Sequence, residues 1–424
     1  MALYFVVCLS LFFSFFLSFL FFFVCACTCV VKQIGVIAHA MRNNTPIIFD
    51  VPPTFKVEAI VGQGAYGAVC KAEFCGDLVA LKKIPHYSKS EDSARRVLRE
   101  VEILQKLQFC EQVVGCRLFF RPVSKEKDVY VAMDYVTSDL SSVIKNTTIQ
   151  LDENIIRYIT CQLLLAIRAL HRCCVLHRDV STRNILVQSN SQIFLCDFGL
   201  SRFFDPDEQL SFGVVTQWYR APEIILDAEY SYPSDVWSVG VILGELLLRR
   251  HLFPGKANDS ANQLNLIFHL VGTPPPGLFD AGRPLERASV NAKHYALAYL
   301  ERRPCAPVLV DLLRASPVLM QPEDHSVPLA VHLAAQLLQF DPTQRPTADA
   351  ALRHPWFAPC RAFIDEMVAL QDKEPLPSFT PTQGMSLAQL VETIERQVPV
   401  FSEDLLVEEE EEENHADEPG LAPK

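Results

Sequence analysis

Residues 177–199 read HRDVSTRNILVQSNSQIFLCDFG and contain two short acidic motifs. His177-Arg178-Asp179 is followed five residues later by Asn184. Asp197-Phe198-Gly199 comes directly after residues 192–196, which read as a strand. Either triplet alone can arise by chance, so its meaning depends on the rest of the chain.

A glycine-rich stretch lies upstream, at Gly62-Gln-Gly64-Ala-Tyr-Gly67-Ala-Val69. Glycines let backbone amides approach phosphate oxygens without a side-chain clash. Dinucleotide-binding folds use a similar string, and an ordinary Gly-rich hairpin is the plainer alternative. A dinucleotide-binding loop opens a helix, whereas this one is followed by two stretches that read as strands, 68–73 and 79–84.

The second of these predicted strands contains Lys82. A helix is predicted after it, and Ser88 and Glu91 have the spacing of a capping box at its start. Glu100 lies on the apolar face of that helix, between Val97 and Leu104. A carboxylate that points into a core needs a cation. We therefore expect Lys82 to pair with Glu100 and the pair to hold nucleotide phosphates.

The remaining landmarks are Ala221-Pro222-Glu223, Asp235 and Arg345. Together and in this order, the motifs resemble the protein kinase family over residues 55–357. The resemblance implies an α+β, bilobal fold, in which a small β-rich lobe with one helix precedes a larger helical lobe.

The resemblance also implies ATP and Mg²⁺ as cofactors and assigns roles to individual residues. Asp179 would accept or orient the proton of the substrate hydroxyl, and Asn184 and Asp197 would hold Mg²⁺. Met133 would be the gatekeeper, Asp134 and Val136 would bond adenine through their backbone, and Asp139 would meet the ribose. The residues expected around the nucleotide are Gly62, Gly64, Gly67, Val69, Ala80, Lys82, Met133, Asp134, Val136, Asp139 and Leu186.

Trp218-Tyr-Arg-Ala-Pro-Glu223 resembles the proline-directed kinases, and Leu252-Phe-Pro-Gly255 and Gly272-Thr-Pro274 resemble their mitogen-activated branch. In that group Arg220 helps shape a pocket for a proline after the phosphorylated residue, and Thr216 contacts Asp179. The resemblance thus implies a Ser/Thr kinase with protein substrates, an upstream activating kinase and no nucleic-acid partner.

The catalytic loop departs from the Ser/Thr kinase pattern at Ser181, where a lysine usually contacts the γ-phosphate. Arg183 lies four residues after Asp179, as in tyrosine kinases, and we expect it to supply the missing cation. The alternative is a weakened kinase or a pseudokinase scaffold that binds partners.

The activation segment departs as well. Ser211-Phe212-Gly213 aligns with the Thr-x-Tyr pair of mitogen-activated kinases, and Gln217 replaces an arginine that binds phosphotyrosine. We expect single-site activation at Ser211, whose phosphate would join a clamp of three arginines. The clamp residues are Arg99, Arg178 and Arg202. Neutralisation of the clamp by Asp205, Asp207 or Glu208 is the alternative.

Residues 2–31 carry no charge and are long enough to cross a bilayer. The other interpretation treats residues 1–40 as a translated leader, with Met41 as the start. Membrane attachment requires that residues 1–31 be retained, and without them we expect the kinase in the cytoplasm or the nucleus.

The net charge of −12 in 424 residues argues against a nucleic-acid footprint. Most of it lies in residues 401–424, an acidic tail that predicts disorder. Fourteen cysteines without a C-x-x-C pair favour a reducing compartment. Residues 358–400 form an extension in which Gln371-Asp372-Lys-Glu374-Pro375 resembles an acidic docking segment, with a solvated loop as the alternative.

Overall fold

The computed structural model describes residues 36–42, 45–64, 67–124, 126–204, 217–319 and 326–402. The apolar segment 1–31, the tail from 403, Ser211 and Thr216 lie outside these ranges. Among the helices that are described, none combines the length and apolarity needed to span a bilayer.

The small lobe is an antiparallel sheet covered by one helix, as the sequence predicts. Its five strands are ordered β3-β4-β5-β7-β6, and Ala80 faces Met133 across the central pair of strands. The described strands are β1 Val36–Arg42, β2 Thr45–Val51, β3 Phe55–Gly64, β4 Gly67–Phe74, β5 Asp77–Ile84, β6 Cys116–Phe120, β7 Val129–Asp134, β8 Ser138–Asp139, β9 Val175–Leu176, β10 Ile185–Val187, β11 Ile193–Leu195 and β12 Arg202–Phe203.

The large lobe is helical and packs around two long, mostly buried helices, α3 and α5. The α-helices in the described ranges are α1 Glu91–Lys106, α2 Leu140–Lys145, α3 Glu153–Arg172, α4 Pro222–Ile225, α5 Tyr232–Leu248, α6 Ser260–Val271, α7 Val290–Arg302, α8 Leu309–Arg314, α9 Leu329–Leu337, α10 Ala348–Leu352, α11 Arg361–Lys373 and α12 Leu387–Gln397.

The hairpin β1–β2 lies before the kinase-like region, and sequence patterning did not predict it. Val36 pairs with Val51, and Phe49 and Val51 are fully buried against the small-lobe sheet. Strand β1 has seven residues, so a chain that starts at Met41 would lose most of it. The boundary expected at residue 40 therefore cuts a strand.

Helix α1 begins two residues later than the capping box predicts. Its N-cap is Ser90, whose hydroxyl accepts a hydrogen bond from the Ser93 amide at 3.2 Å. Glu91 is therefore the first helical residue, and its negative charge interacts favourably with the positive end of the helix dipole.

Residues 374–402, here called the C-terminal strap, return from the large lobe to the small lobe. Helix α12 of the strap packs on α1, and Arg121 exchanges backbone hydrogen bonds with Pro399 and Phe401. The Phe401 ring is buried, with its edge toward Phe55 and Phe120. The strap thus completes the core of the small lobe.

Candidate active site

Lys82 lies at the centre of the cleft between the lobes. Its ammonium bonds the Glu100 carboxylate and lies 3.0 Å from Asp197 Oδ1. Strand β5 presents the lysine and α1 the glutamate, while Asp197 follows β11 in a left-handed conformation, with φ of 64°. The contact between β5 and α1 is the one that the apolar face of α1 predicts.

Lys82 and Asp197 stabilise each other's charged form, whereas burial raises the pKa of Glu100 although Lys82 opposes that rise. Burial alone would lower the pKa of Lys82, but the carboxylates of Asp197 and Glu100 outweigh burial and raise that pKa above its usual value. The Lys82 ammonium holds the pKa of Asp197 below its usual range, although burial opposes this. Lys82 is therefore a permanent cation at physiological pH.

The loop at residues 177–184 is held in place by a buried carboxylate, Asp235. Its two oxygens accept from the backbone amides of His177 at 2.9 Å and Arg178 at 3.0 Å. These bonds fix Arg178 at a φ of 69°, a conformation that non-glycine residues seldom adopt. The strained backbone turns Asp179 toward the cleft, and its amide donates to His177 Nδ1 at 3.2 Å.

Asn184 fixes the side chain of Asp179. Its amide nitrogen donates to the Asp179 carboxylate at 2.8 Å and to the backbone oxygen of the same residue at 2.9 Å. Burial, followed by the negative charge of Asp197, raises the pKa of Asp179 to about 7, while Asn184 and Arg220 oppose the rise. Two carboxylates thus face one small space.

The same residues fit the Mg²⁺ that the sequence predicts. Because the nitrogen of Asn184 donates to Asp179, its amide oxygen remains as a hard ligand. The Asp197 side chain is 49% exposed toward the cleft. A divalent cation held by these oxygens would also offset the repulsion between Asp179 and Asp197.

The predicted nucleotide pocket lies between the two lobes. Its residues face each other in three strand ladders. Ala80 faces Met133, Val69 faces Lys82, and Leu186 faces Asp139. Val136 lies in the short link between β7 and β8 that connects the lobes. Ala80 and Met133 are thus neighbours in the small lobe, and Leu186 and Asp139 are neighbours in the large lobe, while their contacts with adenine and ribose stay a prediction.

Two of these pocket residues have additional structural bonds. Asp139 caps α2, since one carboxylate oxygen accepts from the Ser142 amide at 2.7 Å. The Asp134 amide donates to the Gly115 carbonyl at 3.0 Å, and the carboxylate bonds Arg117 at 2.8 Å. The second oxygen of Asp139 is thus the one that can reach a ribose.

The glycine-rich stretch lies in the hairpin β3–β4, where Gly64 pairs with Gly67. Gly67 has a φ of 152°, and a Cβ there would lie 2.1 Å from the Lys83 carbonyl oxygen. That oxygen is part of a strand and cannot move aside, so Gly67 is required by backbone packing. Gly62 and Gly64 lie on β3 at the start of the hairpin. A Cβ added at Gly62 would lie 3.6 Å from its nearest neighbour, Val69, and one added at Gly64 would meet no atom within 4 Å.

The substituted part of the catalytic loop divides between core and surface. Ser181 is only 7% exposed, whereas Arg183 is exposed. Between them, Thr182 Oγ1 lies 2.8 Å from the Tyr219 hydroxyl, which donates to Glu245 at 3.0 Å. Thr182 and Glu245 were not singled out from the sequence, because neither residue is part of a recognisable motif.

The three arginines of the predicted phosphate clamp lie on separate elements. Arg99 is buried on α1, Arg178 lies over the Tyr230 ring at 5.0 Å, and Arg202 donates to the Ser201 carbonyl at 3.1 Å. Ser211 lies outside the described residues, as does Thr216. Convergence of the arginines on Ser211 therefore stays a prediction.

The acidic docking-like segment is tied to the large lobe. Asp372 accepts from Arg168 at 2.7 Å and lies 3.4 Å from Arg172, while Gln371 is buried. Arg172 also donates to the backbone oxygens of residues 371, 372 and 374. One of the segment's two carboxylates, Asp372, is thus paired with arginines of the same chain.

At the base of the large lobe, Glu223 and Arg345 form a buried ion pair. Each nitrogen–oxygen distance in the two-pronged contact is 2.7 Å, and the side chains are 1% and 0% exposed. The pair anchors the end of the activation segment to the loop before α10.

A protein kinase domain model matches residues 55–357. Mitogen-activated protein kinase 1 of Oryza sativa subsp. japonica is 35% identical over 327 residues, which are 76% of this chain and 77% of the relative. Mitogen-activated protein kinase 12 of Mus musculus is 36% identical over 333 residues, 77% of this chain and 84% of the relative. The chain therefore belongs to the protein kinase family and, within it, to the mitogen-activated kinases.

Proposed function

We propose that this chain transfers the γ-phosphoryl group of ATP, with Mg²⁺, to Ser or Thr hydroxyls of proteins, preferentially before proline. The observation that supports it best is the continuity of the site. Lys82 bonds both Glu100 and Asp197, and Asn184 bonds Asp179. The Cys196 amide, next to Asp197, donates to the Asn184 carbonyl at 2.9 Å, which supports a single site for the proposed phosphate-binding cation and proton acceptor.

The chain's residues can perform each part of this reaction. The Lys82 ammonium would bind phosphate oxygens, and the Asn184 amide would hold the Asp179 carboxylate toward the substrate. Asp179 would accept the hydroxyl proton while the new P–O bond forms and the bond to ADP breaks. Mg²⁺ on Asn184 and Asp197 would neutralise charge on the transferred group.

A phosphotransfer assay with matched peptides tests this proposal. We expect activity on a Ser-Pro peptide, at least about tenfold less on the Ser-Ala peptide, and loss in Asp179→Asn and after Mg²⁺ chelation. Equal rates on both peptides would refute the proline preference. Activity unchanged in Asp179→Asn would refute the catalytic assignment, and nucleotide binding without any transfer would favour the scaffold alternative.

Activation is proposed to follow phosphorylation of Ser211 by an upstream kinase. A phosphate carries about −1.5 to −2 charge and can order a loop through arginine contacts. Phosphosite mapping of active protein should find Ser211 modified, and Ser211→Ala should be far less active. Full activity in Ser211→Ala would favour the alternative in which Asp205, Asp207 or Glu208 neutralises the clamp.

The proposed location is the cytoplasm or the nucleus. Fractionation of a tagged full-length chain tests it. Recovery in a carbonate-resistant membrane pellet would instead favour an anchor formed by residues 1–31.

A further inference from the structure

Thr380-Pro381 in the C-terminal strap is itself a Ser/Thr-Pro sequence. The Thr380 hydroxyl donates to Glu102 Oε1, and the Thr380 amide donates to Glu102 Oε2 at 3.1 Å. Gln397, in α12, donates to the same carboxylate at 2.9 Å. Glu102 is only 1% exposed, so this is a buried carboxylate whose donors come largely from the strap.

Glu102 lies on the helix that positions the catalytic lysine. It belongs to α1, two residues after Glu100, the partner of Lys82. The neighbouring strap residue Phe379 packs on Phe203, with ring centroids 4.3 Å apart. Phe203 is the last residue of β12, just before the segment at 205–216. The strap at Thr380 therefore touches both elements on which an active kinase site depends.

A phosphate on Thr380 would be poorly accommodated in this place. It would put about −1.5 to −2 charge beside the Glu102 carboxylate, where low dielectric strengthens the repulsion. The nearest cations already bond the strap's backbone. Lys106 donates to the Ser378 carbonyl and lies 3.9 Å from Glu102 Oε1, and Arg95 donates to the carbonyls of Thr382 and Met385. Both cations already serve Glu102 or the strap's backbone, so a phosphate that draws them toward itself weakens the contacts that hold the strap.

The sequence around Thr380 is open to another kinase. Thr380 is partly exposed, Pro381 is exposed, and residues 374–382 form no helix or strand. By contrast, Ser316, which also precedes a proline, is buried and donates to the Leu247 carbonyl. The strap thus presents an extended Thr-Pro segment of the kind that proline-directed kinases accept.

We propose that Thr380 is a phosphorylation site for a proline-directed kinase, and that its phosphate releases the strap from α1 and lowers activity. ATP supplies the phosphoryl group, the bond to ADP breaks, a P–O bond forms at Thr380 Oγ1, and the hydroxyl proton passes to the modifying enzyme's base. The site does not require this chain to be its own modifier.

The first experiment asks whether the site is used. The full chain carrying Asp179→Asn is incubated with an active mitogen-activated kinase and ATP·Mg²⁺, and its phosphopeptides are mapped. We expect phosphate at Thr380 and its loss when Pro381→Ala is added. If that kinase labels a Ser-Pro peptide but leaves Thr380 unmodified, the inference is wrong. The chain's own activity plays no part, so failure of the proposed function is a separate result.

The second experiment measures the consequence by hydrogen exchange of the α1 amides. In the chain phosphorylated at Thr380, we expect exchange in α1 to rise by about tenfold or more. Thr380→Val removes the hydroxyl without adding charge and should cause a smaller rise. Glu102→Gln in the phosphorylated chain should reduce the rise, because an amide can donate to phosphate.

Unchanged exchange on phosphorylation would overturn the proposal, since the strap would then hold α1 regardless of charge. A rise in Thr380→Val as large as that caused by phosphate would also overturn it, since hydroxyl loss alone would explain the effect. A failure of Glu102→Gln to diminish the rise would place the repulsion elsewhere and would refute the mechanism.

Discussion

Replacing Arg345 with methionine tests the buried ion pair of the large lobe. Methionine keeps most of the side-chain length but leaves the Glu223 carboxylate, which is 1% exposed, without its two 2.7 Å bonds. The backbone oxygens of Gln339, Pro233 and Phe340 lose a donor as well. Breaking a buried pair from one side costs about 3–5 kcal/mol. At about 2.1 cal/mol/K of unfolding entropy per residue, a domain of roughly 300 residues loses about 1.6 °C of Tm per kcal/mol, so Tm should fall by about 5–8 °C.

Thermal unfolding of the full chain, followed by dye fluorescence, measures the effect. The matched control is the double variant Glu223→Gln/Arg345→Met, in which a neutral amide replaces the orphaned charge. We expect the double variant to recover part of the lost Tm, because most of the cost is the uncompensated carboxylate. A fall of less than about 2 °C in Arg345→Met, or a double variant less stable than the single one, would refute the reasoning.

Three further outcomes follow from single sites. Arg183→Ala should reduce turnover by about 10²-fold or more in peptide assays, because no lysine stands at residue 181; unchanged turnover would disprove compensation. Phe401→Ala should destabilise the small lobe by about 3–5 kcal/mol in denaturant titrations, since the ring is 5% exposed; an effect below about 1 kcal/mol would mean that the strap end is loosely held. Burial and His332 lower the pKa of His354 to about 4, so the folded chain favours neutral His354. The free energy of unfolding should therefore fall as pH drops from about 6.5 to 4, by on the order of 2 kcal/mol after solvent screening. In His354→Gln this loss should be smaller. Identical pH profiles of stability in the two proteins would contradict a role for His354.

The spacing along α1 predicted the contact between Lys82 and Glu100, because that contact depends on a single helix face. Glu100 shares the apolar face of α1, and that face must meet the strand that carries Lys82. The same pattern predicted the wrong start for this helix, because Ser88 and Glu91 have capping-box spacing but the N-cap is Ser90. The Ser90 hydroxyl accepts from the Ser93 backbone amide, and a bond to a backbone amide leaves no side-chain signature in the sequence.

Contacts between distant residues could not be predicted in the same way. Asp372 looks like an exposed acid in sequence, yet Arg168, 204 residues earlier, bonds it. The strap's contacts with α1 and Arg121 likewise join residues more than 250 positions apart, and no periodic pattern records them. Such pairs depend on how the two lobes pack together, and local sequence patterns carry no information about that packing.

The strap gives the two lobes a second mechanical connection. Residues 135–137 link β7 to β8, and the strap crosses again from α11 to the small lobe through Arg121 and Phe401. Two bodies joined at one point can tilt in any direction, whereas two junctions restrict them to rotation about the line between those junctions. The cleft must open for spent nucleotide to leave, so the strap should govern the rate of ADP release. We therefore expect turnover to depend on strap residues that do not contact the nucleotide.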